Sequence, residues 1–301
     1  MNLITKGWIS VNKPINLSSS ETVLRIKKKF RLSKVGHAGT LDPLARGILP
    51  IAFGSTTKLI SFVMDSRKEY NFTIKWGSQT DTDDSEGKVI SESNKIPSKK
   101  EIIENLSHYV GSIYQRPPNF SAIKVDGKRA YRLSKQNVDF DLPKRMVCVY
   151  SLNYLNNIND CESSFNIECG KGFYIRSFAR DLGSRLSTFG HITSLERVKV
   201  GIFNNKNTIL LDDLLKISHL SSHIKGYYPS AVVLDDIPAL TVKNGEDSDI
   251  RMGKKINVSF LSDLTLKKFN SKKYVYAKNK YEVVALGFIK NNFFVPKKVL
   301  N

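Results

Sequence analysis

A carboxylate on a glycine-restrained loop is the first feature of this sequence suited to chemistry. Residues 36–54 read GHAGTLDPLARGILPIAFG, with four glycines and two prolines. Gly36 and Gly39 open backbone conformations closed to other residues. Pro43 pushes the preceding Asp42 toward extended backbone. The apolar run 48–53 is a buried-strand candidate. Asp42 is thus held on a restrained loop beside a core strand, and a carboxylate so held suits covalent catalysis. An ordinary reading competes with this one. Most Asp-Pro pairs are turns in which the carboxylate accepts backbone hydrogen bonds. A phosphate cradle is excluded, because neither Gly-x-Gly-x-x-Gly nor a closing Lys-Ser/Thr is present.

Other reactive types need the same weighing. Tyr70 opens an alternating run with Phe72, Ile74 and Trp76, so it is either a core aromatic or a face for stacking a base. Tyr174 and Arg176 sit two apart at a helix start, where both can reach one pocket before the first full turn. Taken alone, Arg176 is a surface cation, His37 is structural and Leu195 is core. Asp81, Asp83, Ser85 and Glu92 fall at calcium-loop offsets. Glu86, however, stands where that loop needs glycine, and Gly87 comes one place late, so a capped hairpin or solvated loop is expected. His219 and His223 are spaced for a metal, but no Glu or Cys nearby completes a zinc site.

These residues must be positioned by a mixed scaffold. Strands are expected at 8–11, 48–53, 70–76, 146–155 and 164–169. Helices are expected at 18–30, behind a Ser18-x-x-Glu21 capping box, and at 56–63, 101–110 and 174–186. After about residue 226 the chain becomes strand-like and turn-rich, with apolar runs at 256–260, 274–277, 283–289 and 293–295. An α+β body is therefore expected over 1–235, with a small β-rich module over 236–301. Lys and Arg total 47 against 28 Asp and Glu, a net charge of +19. Such an excess favours polyanionic partners. Three cysteines without Cys-x-x-Cys suggest buried thiols in a reducing cytosol. Residues 1–10 contain no signal-like apolar run, and no stretch is long enough to span a bilayer. A soluble cytoplasmic protein is expected.

The 36–54 stretch resembles the nucleophile motif GHxGTLDPxAxGxLP of the TruB-type tRNA pseudouridine-55 synthases. Further motifs follow in that family's order. They are Lys13-Pro14 with Ser18-Ser19, Lys68-Glu69-Tyr70, the acidic stretch 77–87, Arg116-Pro117-Pro118 with Ser121 to Gly127, residues 169–183, and Gly190-His191 with Leu195 and Arg197. The resemblance spans residues 8–203. It implies a mixed-sheet pseudouridine synthase catalytic domain with a C-terminal PUA-like RNA-binding module. It implies Asp42 as nucleophile and Arg176 as its charge partner. It implies substrate-binding roles for His37, Tyr70, Tyr174 and Leu195. The substrate would be uridine 55 in the T-arm loop of tRNA, turned out of its stack. No cofactor, metal, membrane or obligate protein partner is implied. Attack on ribose, attack on uracil and a glycal route all suit a carboxylate.

Five positions depart from the family pattern without removing a reactive group. Asn16 replaces a glycine, Arg46 a small residue, Ser134-Lys135 an Ala-Arg pair and Phe178 a leucine. Rival readings are another RNA uridine, a non-catalytic RNA-binding scaffold and an acidic-lipid binder. The retained Asp42, Tyr70, Tyr174 and Arg176 speak against a dead scaffold. The lipid reading lacks an amphipathic anchor.

Overall fold

The computed structural model describes residues 4–136, 138–243 and 245–301; residues 1–3, part of the segment read for a signal, lie outside it. Two strands carry the Asp42 loop. β1 (Gly7–Lys13) pairs antiparallel with β3 (Arg46–Phe53). Between them run α1 (Ser19–Lys29) and the short β2 (Val35–His37), which pairs with β3. Alternate residues of the β1–β3 pair enter two different cores. Ile9, Val11, Leu49, Ile51 and Phe53 face one, whereas Trp8, Ile48 and Ala52 face the other. A strand covered on both faces reads as a continuous apolar run, which is why 48–53 shows no alternation.

Ser18 caps α1 by accepting the Glu21 N–H at 3.1 Å. Only this half of the expected capping box forms, because the Glu21 carboxylate pairs with Arg25 at 2.8 Å. After β3 a 3₁₀ turn leads into α2 (Ile60–Asp65) and then β4 (Lys68–Trp76), whose alternation survives as expected. The hairpin β5 (Ser78–Thr80) and β6 (Val89–Glu92) brackets the acidic loop. A full capping box at Ser98 and Glu101 opens α3 (Lys99–Leu106). Next come β7 (Gly111–Gln115) and an excursion holding β8 (Lys124–Val125), β9 (Lys128–Arg129) and α4 (Ala130–Lys135). β10 (Arg145–Asn159) and β11 (Glu162–Cys169) pair antiparallel. α5 (Ile175–Arg185) and β12 (Gly190–Val200) complete the framework of the site.

Short pieces β13 (Phe203–Asn204), β14 (Ile209–Leu210), α6 (Leu211–Lys216) and β15 (Tyr227–Tyr228) follow. The mixed sheet runs β14, β1, β3, β12, β4, β11, β10, β7. β12 is central, parallel to β3 and antiparallel to β4. Alternation alone does not reveal β12, because register shifts near Ile192 and Arg197 break its period of two. Its buried His191 and Arg197 also disguise it.

The C-terminal part forms a second sheet. Its elements are β16 (Ala239–Thr241), α7 (Glu246–Arg251), β17 (Ile256–Asn257), α8 (Asp263–Asn270), β18 (Val275–Lys278), β19 (Val283–Lys290) and β20 (Phe293–Val299). The order is β16, β18, β19, β20, β17. The two helices are unforeseen, being too short for a helical period to register. Val283, Leu286 and Leu300 of this module share a core with Trp8, Leu59 and Phe203. Lys6 pairs with Glu282 across the same junction at 2.7 Å. The architecture is the α+β arrangement with a β-rich C-terminal module that the sequence predicts. Among the described residues, no helix is long and apolar enough to cross a membrane.

Candidate active site

The Asp42 loop is held through its own main chain. Carbonyls 39 to 43 each accept a hydrogen bond. Arg197 reaches Gly39 O at 3.0 Å and Thr40 O at 3.4 Å. Ser19 Oγ donates to Leu41 O at 2.9 Å and accepts from Leu41 N–H at 2.8 Å. Ala45 N–H donates to Asp42 O at 3.1 Å, and Asn16 N–H donates to Pro43 O at 2.8 Å. Lys13 Nζ reaches Pro43 O at 3.3 Å and Leu17 O at 2.6 Å. Gly39 has φ +116° and needs its glycine freedom. Gly36 instead avoids crowding, since a Cβ there would meet Ile60 at 2.9 Å. Asn16 takes φ 61°, so the left-handed turn survives the loss of glycine.

This bonding decides against the ordinary Asp-Pro turn. The turn closes main chain to main chain, and the carboxylate goes elsewhere. Asp42 Oδ2 lies 2.9 Å from Arg176 Nε. The Asp42 side chain keeps 32% of its exposure, whereas that of Arg176 keeps 6%. The pair is therefore anchored from the arginine side and open from the aspartate side.

Arg176 sits in the first turn of α5 and has four partners. Besides Asp42, its Nε lies 3.5 Å from Asp84 Oδ2. Its Nη1 donates to Thr82 O at 2.9 Å and its Nη2 to Phe120 O at 3.0 Å. Burial opposes its charge, but Asp42, Asp84 and Asp83 outweigh that effect. Asp84 is buried, accepting from Thr82 Oγ1 at 2.6 Å and from Glu86 N–H at 3.1 Å. Burial pushes its carboxyl above the usual range. Asp83, with φ 60°, pairs with Arg180 at 3.0 Å, and burial raises it to about 6. Asp81 accepts the Lys88 N–H at 2.9 Å. Of the carboxylates at calcium-loop offsets, Asp81 thus closes the hairpin loop and Asp83 holds Arg180, while the neighbouring Asp84 braces Arg176.

The other sequence-predicted residues fall around this pair. Tyr174 is the N-cap residue of α5. The Gln115 side chain grips its backbone, donating to Tyr174 O at 3.0 Å and accepting from Tyr174 N–H at 2.8 Å. Burial, and then the charge of Asp42, raises the Tyr174 phenol. Tyr70 lies on β4 opposite Ile167 and Arg197. Burial raises its phenol, against the opposing charge of Arg197. Leu195 is 6% exposed and lies opposite Phe72 in the core layer. His37 is half-buried on β2 opposite Ile51, and its Nδ1 has no hydrogen-bond partner among the described residues. Burial, and then Arg197, lowers its imidazole. Tyr70 and Tyr174 feel the Asp42 charge directly. Neither His37 nor Leu195 is hydrogen-bonded to the pair among the described residues. Arg46 points outward to Glu196 at 2.9 Å.

The supporting roles of Lys13, Ser19, Asp84, Gln115 and Arg197 were not assigned from sequence. Lys13, Ser19 and Arg197 lie in motifs that signalled them, whereas Gln115 meets Tyr174 across 59 positions and has no local signal. Lys13 is fully buried, and burial lowers it to about 8 although Asp42 and Glu86 oppose the shift. The folded state then binds fewer protons than the unfolded chain between about pH 8 and 10.5. The stability that Lys13 contributes should rise with pH across that window and be lost as pH falls through it. Denaturant titrations of wild type and Lys13→Met on either side of the window should show the wild type gaining relative stability at the alkaline end.

Known proteins share both sequence and fold with this chain. The N-terminal domain profile of the TruB family pseudouridylate synthases matches residues 27–175. The C-terminal domain profile of tRNA pseudouridylate synthase B matches residues 176–236. A protein of Ehrlichia ruminantium named tRNA pseudouridine synthase B is 43% identical over 299 residues, covering 98% of this chain and 99% of its own length. The protein of that name from Caulobacter vibrioides is 42% identical over 250 residues, covering 83% and 81%. The crystal structure of a Cbf5-Nop10-Gar1 complex matches with a TM-score of 0.72 at 24% identity, covering 98% of this chain and 85% of that one, a likeness of fold. With identity above 40% running almost end to end, the chain belongs to the TruB family of pseudouridylate synthases.

Proposed function

We propose that this chain isomerises uridine 55 in the T-arm loop of tRNA to pseudouridine, with Asp42 as nucleophile. One observation carries the reading: a partly exposed carboxylate on a fully bonded loop, held at 2.9 Å by a buried arginine. That geometry keeps a carboxylate oxygen aimed outward without further reorganisation. The relatives named tRNA pseudouridine synthase B support the choice of tRNA, and the +19 net charge supports a polyanionic substrate. The reaction breaks the N1–C1′ bond, turns the base and forms a C5–C1′ bond; the C5 proton leaves and N1 gains one.

The target base lies in a folded loop and must be turned out to meet Asp42. Tyr70 stacks on it, Tyr174 and Leu195 shape the pocket, Arg176 orients Asp42, and His37 helps hold the everted loop. Residues 1–235 form the catalytic domain in this reading. Residues 236–301 form a PUA-like module that adds tRNA affinity, and the protein works in the cytoplasm without a cofactor or obligate protein partner. The test uses a tRNA transcript tritiated at uridine C5. Release of one label per tRNA is expected, and none when uridine 55 is replaced by cytidine. Equal release from both transcripts overturns the site assignment.

A further inference from the structure

Arg197 is the most deeply buried guanidinium near the site, at 1% exposure. Burying such a group is costly unless its donors are satisfied. Its hydrogen bonds run to main-chain carbonyls rather than carboxylates: Nε to Ile48 O at 2.7 Å, Nη2 to Gly39 O at 3.0 Å and Nη1 to Thr40 O at 3.4 Å. Two of these carbonyls open the Asp42 loop, and the third lies on the strand that leaves it. The cross-strand neighbour of Arg197 on β4 is Tyr70.

The sheet register explains this placement. Arg197 lies on β12 beside Tyr70 of β4 on one side and Gly47 of β3 on the other. A Cβ on Gly47 would lie 2.3 Å from Arg197 O, so the two strands are pressed together at this point. One side chain therefore bonds the loop that carries Asp42 while its strand position sets it beside Tyr70. A residue serving only the core would not need a charge that three main-chain carbonyls must solvate. A fixed fork of donors does suit the task of holding two walls at a set separation.

We propose that Arg197 is a positioning residue for the uridine reaction, setting the Asp42 loop and the Tyr70 ring against each other. The proposal rests on the reading above. It acts through geometry and touches no reacting atom.

The test compares wild type, Arg197→Met, Arg197→Lys, Tyr70→Phe and the two double variants. Thermal melts, tRNA dissociation constants and single-turnover pseudouridine formation are read in parallel. Arg197→Met is expected to react about 100-fold more slowly once bound, a loss typical of slight misplacement, and to bind tRNA within about threefold of wild type. Arg197→Lys should recover part of the rate, since an ammonium still reaches some of the carbonyls. Tyr70→Phe should cost less in either Arg197 variant than in wild type, because the ring has lost the neighbour that sets its place. A wild-type rate for Arg197→Met, or a loss confined to tRNA affinity, overturns the proposal. Should Arg197→Met not fold, the Arg197→Lys cycle decides, and additive losses in it overturn the proposal equally. A wild-type protein that forms no pseudouridine overturns the underlying reading instead, before any variant is compared.

Discussion

Asp42→Asn is expected to slow pseudouridine formation by about 10⁴-fold or more, while tRNA affinity changes by less than about tenfold. The amide keeps the size of the carboxylate and loses its charge and nucleophilicity. The loop should not move, because carbonyls 39 to 43 are bonded by Arg197, Ser19, Ala45, Asn16 and Lys13 rather than by the Asp42 side chain. Arg176 would keep Asp84, Thr82 and Phe120. A thermal melt close to that of wild type is therefore part of the expectation. Single-turnover rates and filter-binding affinities measured on one tRNA check it, and wild-type turnover by the variant would remove Asp42 from the chemistry.

Arg176→Met should differ by failing twice. It should lose activity and also stability, by about 3–5 kcal/mol, the usual cost of leaving one member of a buried ion pair behind. The stranded groups are Asp84, which is buried, and the carbonyls of Thr82 and Phe120. Arg176→Lys should not restore the site. A single ammonium cannot bond Asp42, Asp84, Thr82 O and Phe120 O together, since they come from three separate segments and match a planar fork. Urea unfolding midpoints measured beside the rates separate the two variants. An Arg176→Met protein as stable as wild type would contradict the bracing role assigned to the acidic loop.

Much of this site was legible because its reactive groups lie in short motifs. Asp42 looked like a turn aspartate by local rules, and the fixed residues around it were what marked the loop. The structure sharpened this by showing the turn closed without the carboxylate. Tyr70 was readable because β4 keeps a clean alternation. β12 was not, since its bulges and its buried Arg197 and His191 break the pattern that betrays a strand. The capping box expected at Ser18 formed only in half, as Glu21 had a nearer cation in Arg25. The acidic stretch reads as a capped hairpin or a solvated loop; the hairpin forms, yet Asp83 and Asp84 are buried, because their arginine partners arrive from α5 about a hundred positions later. Sequence spacing carries period and turn chemistry. It does not carry which distant cation will neutralise a given carboxylate.

The central claim is that Asp42 acts on one uridine of the tRNA T-arm loop. The most direct measurement maps pseudouridine at every uridine of a single tRNA after incubation with wild type and with Asp42→Asn. The account predicts pseudouridine at position 55 alone with the wild type, and at no position with the variant. Modification at another position, or an unchanged signal at position 55 with Asp42→Asn, would contradict it.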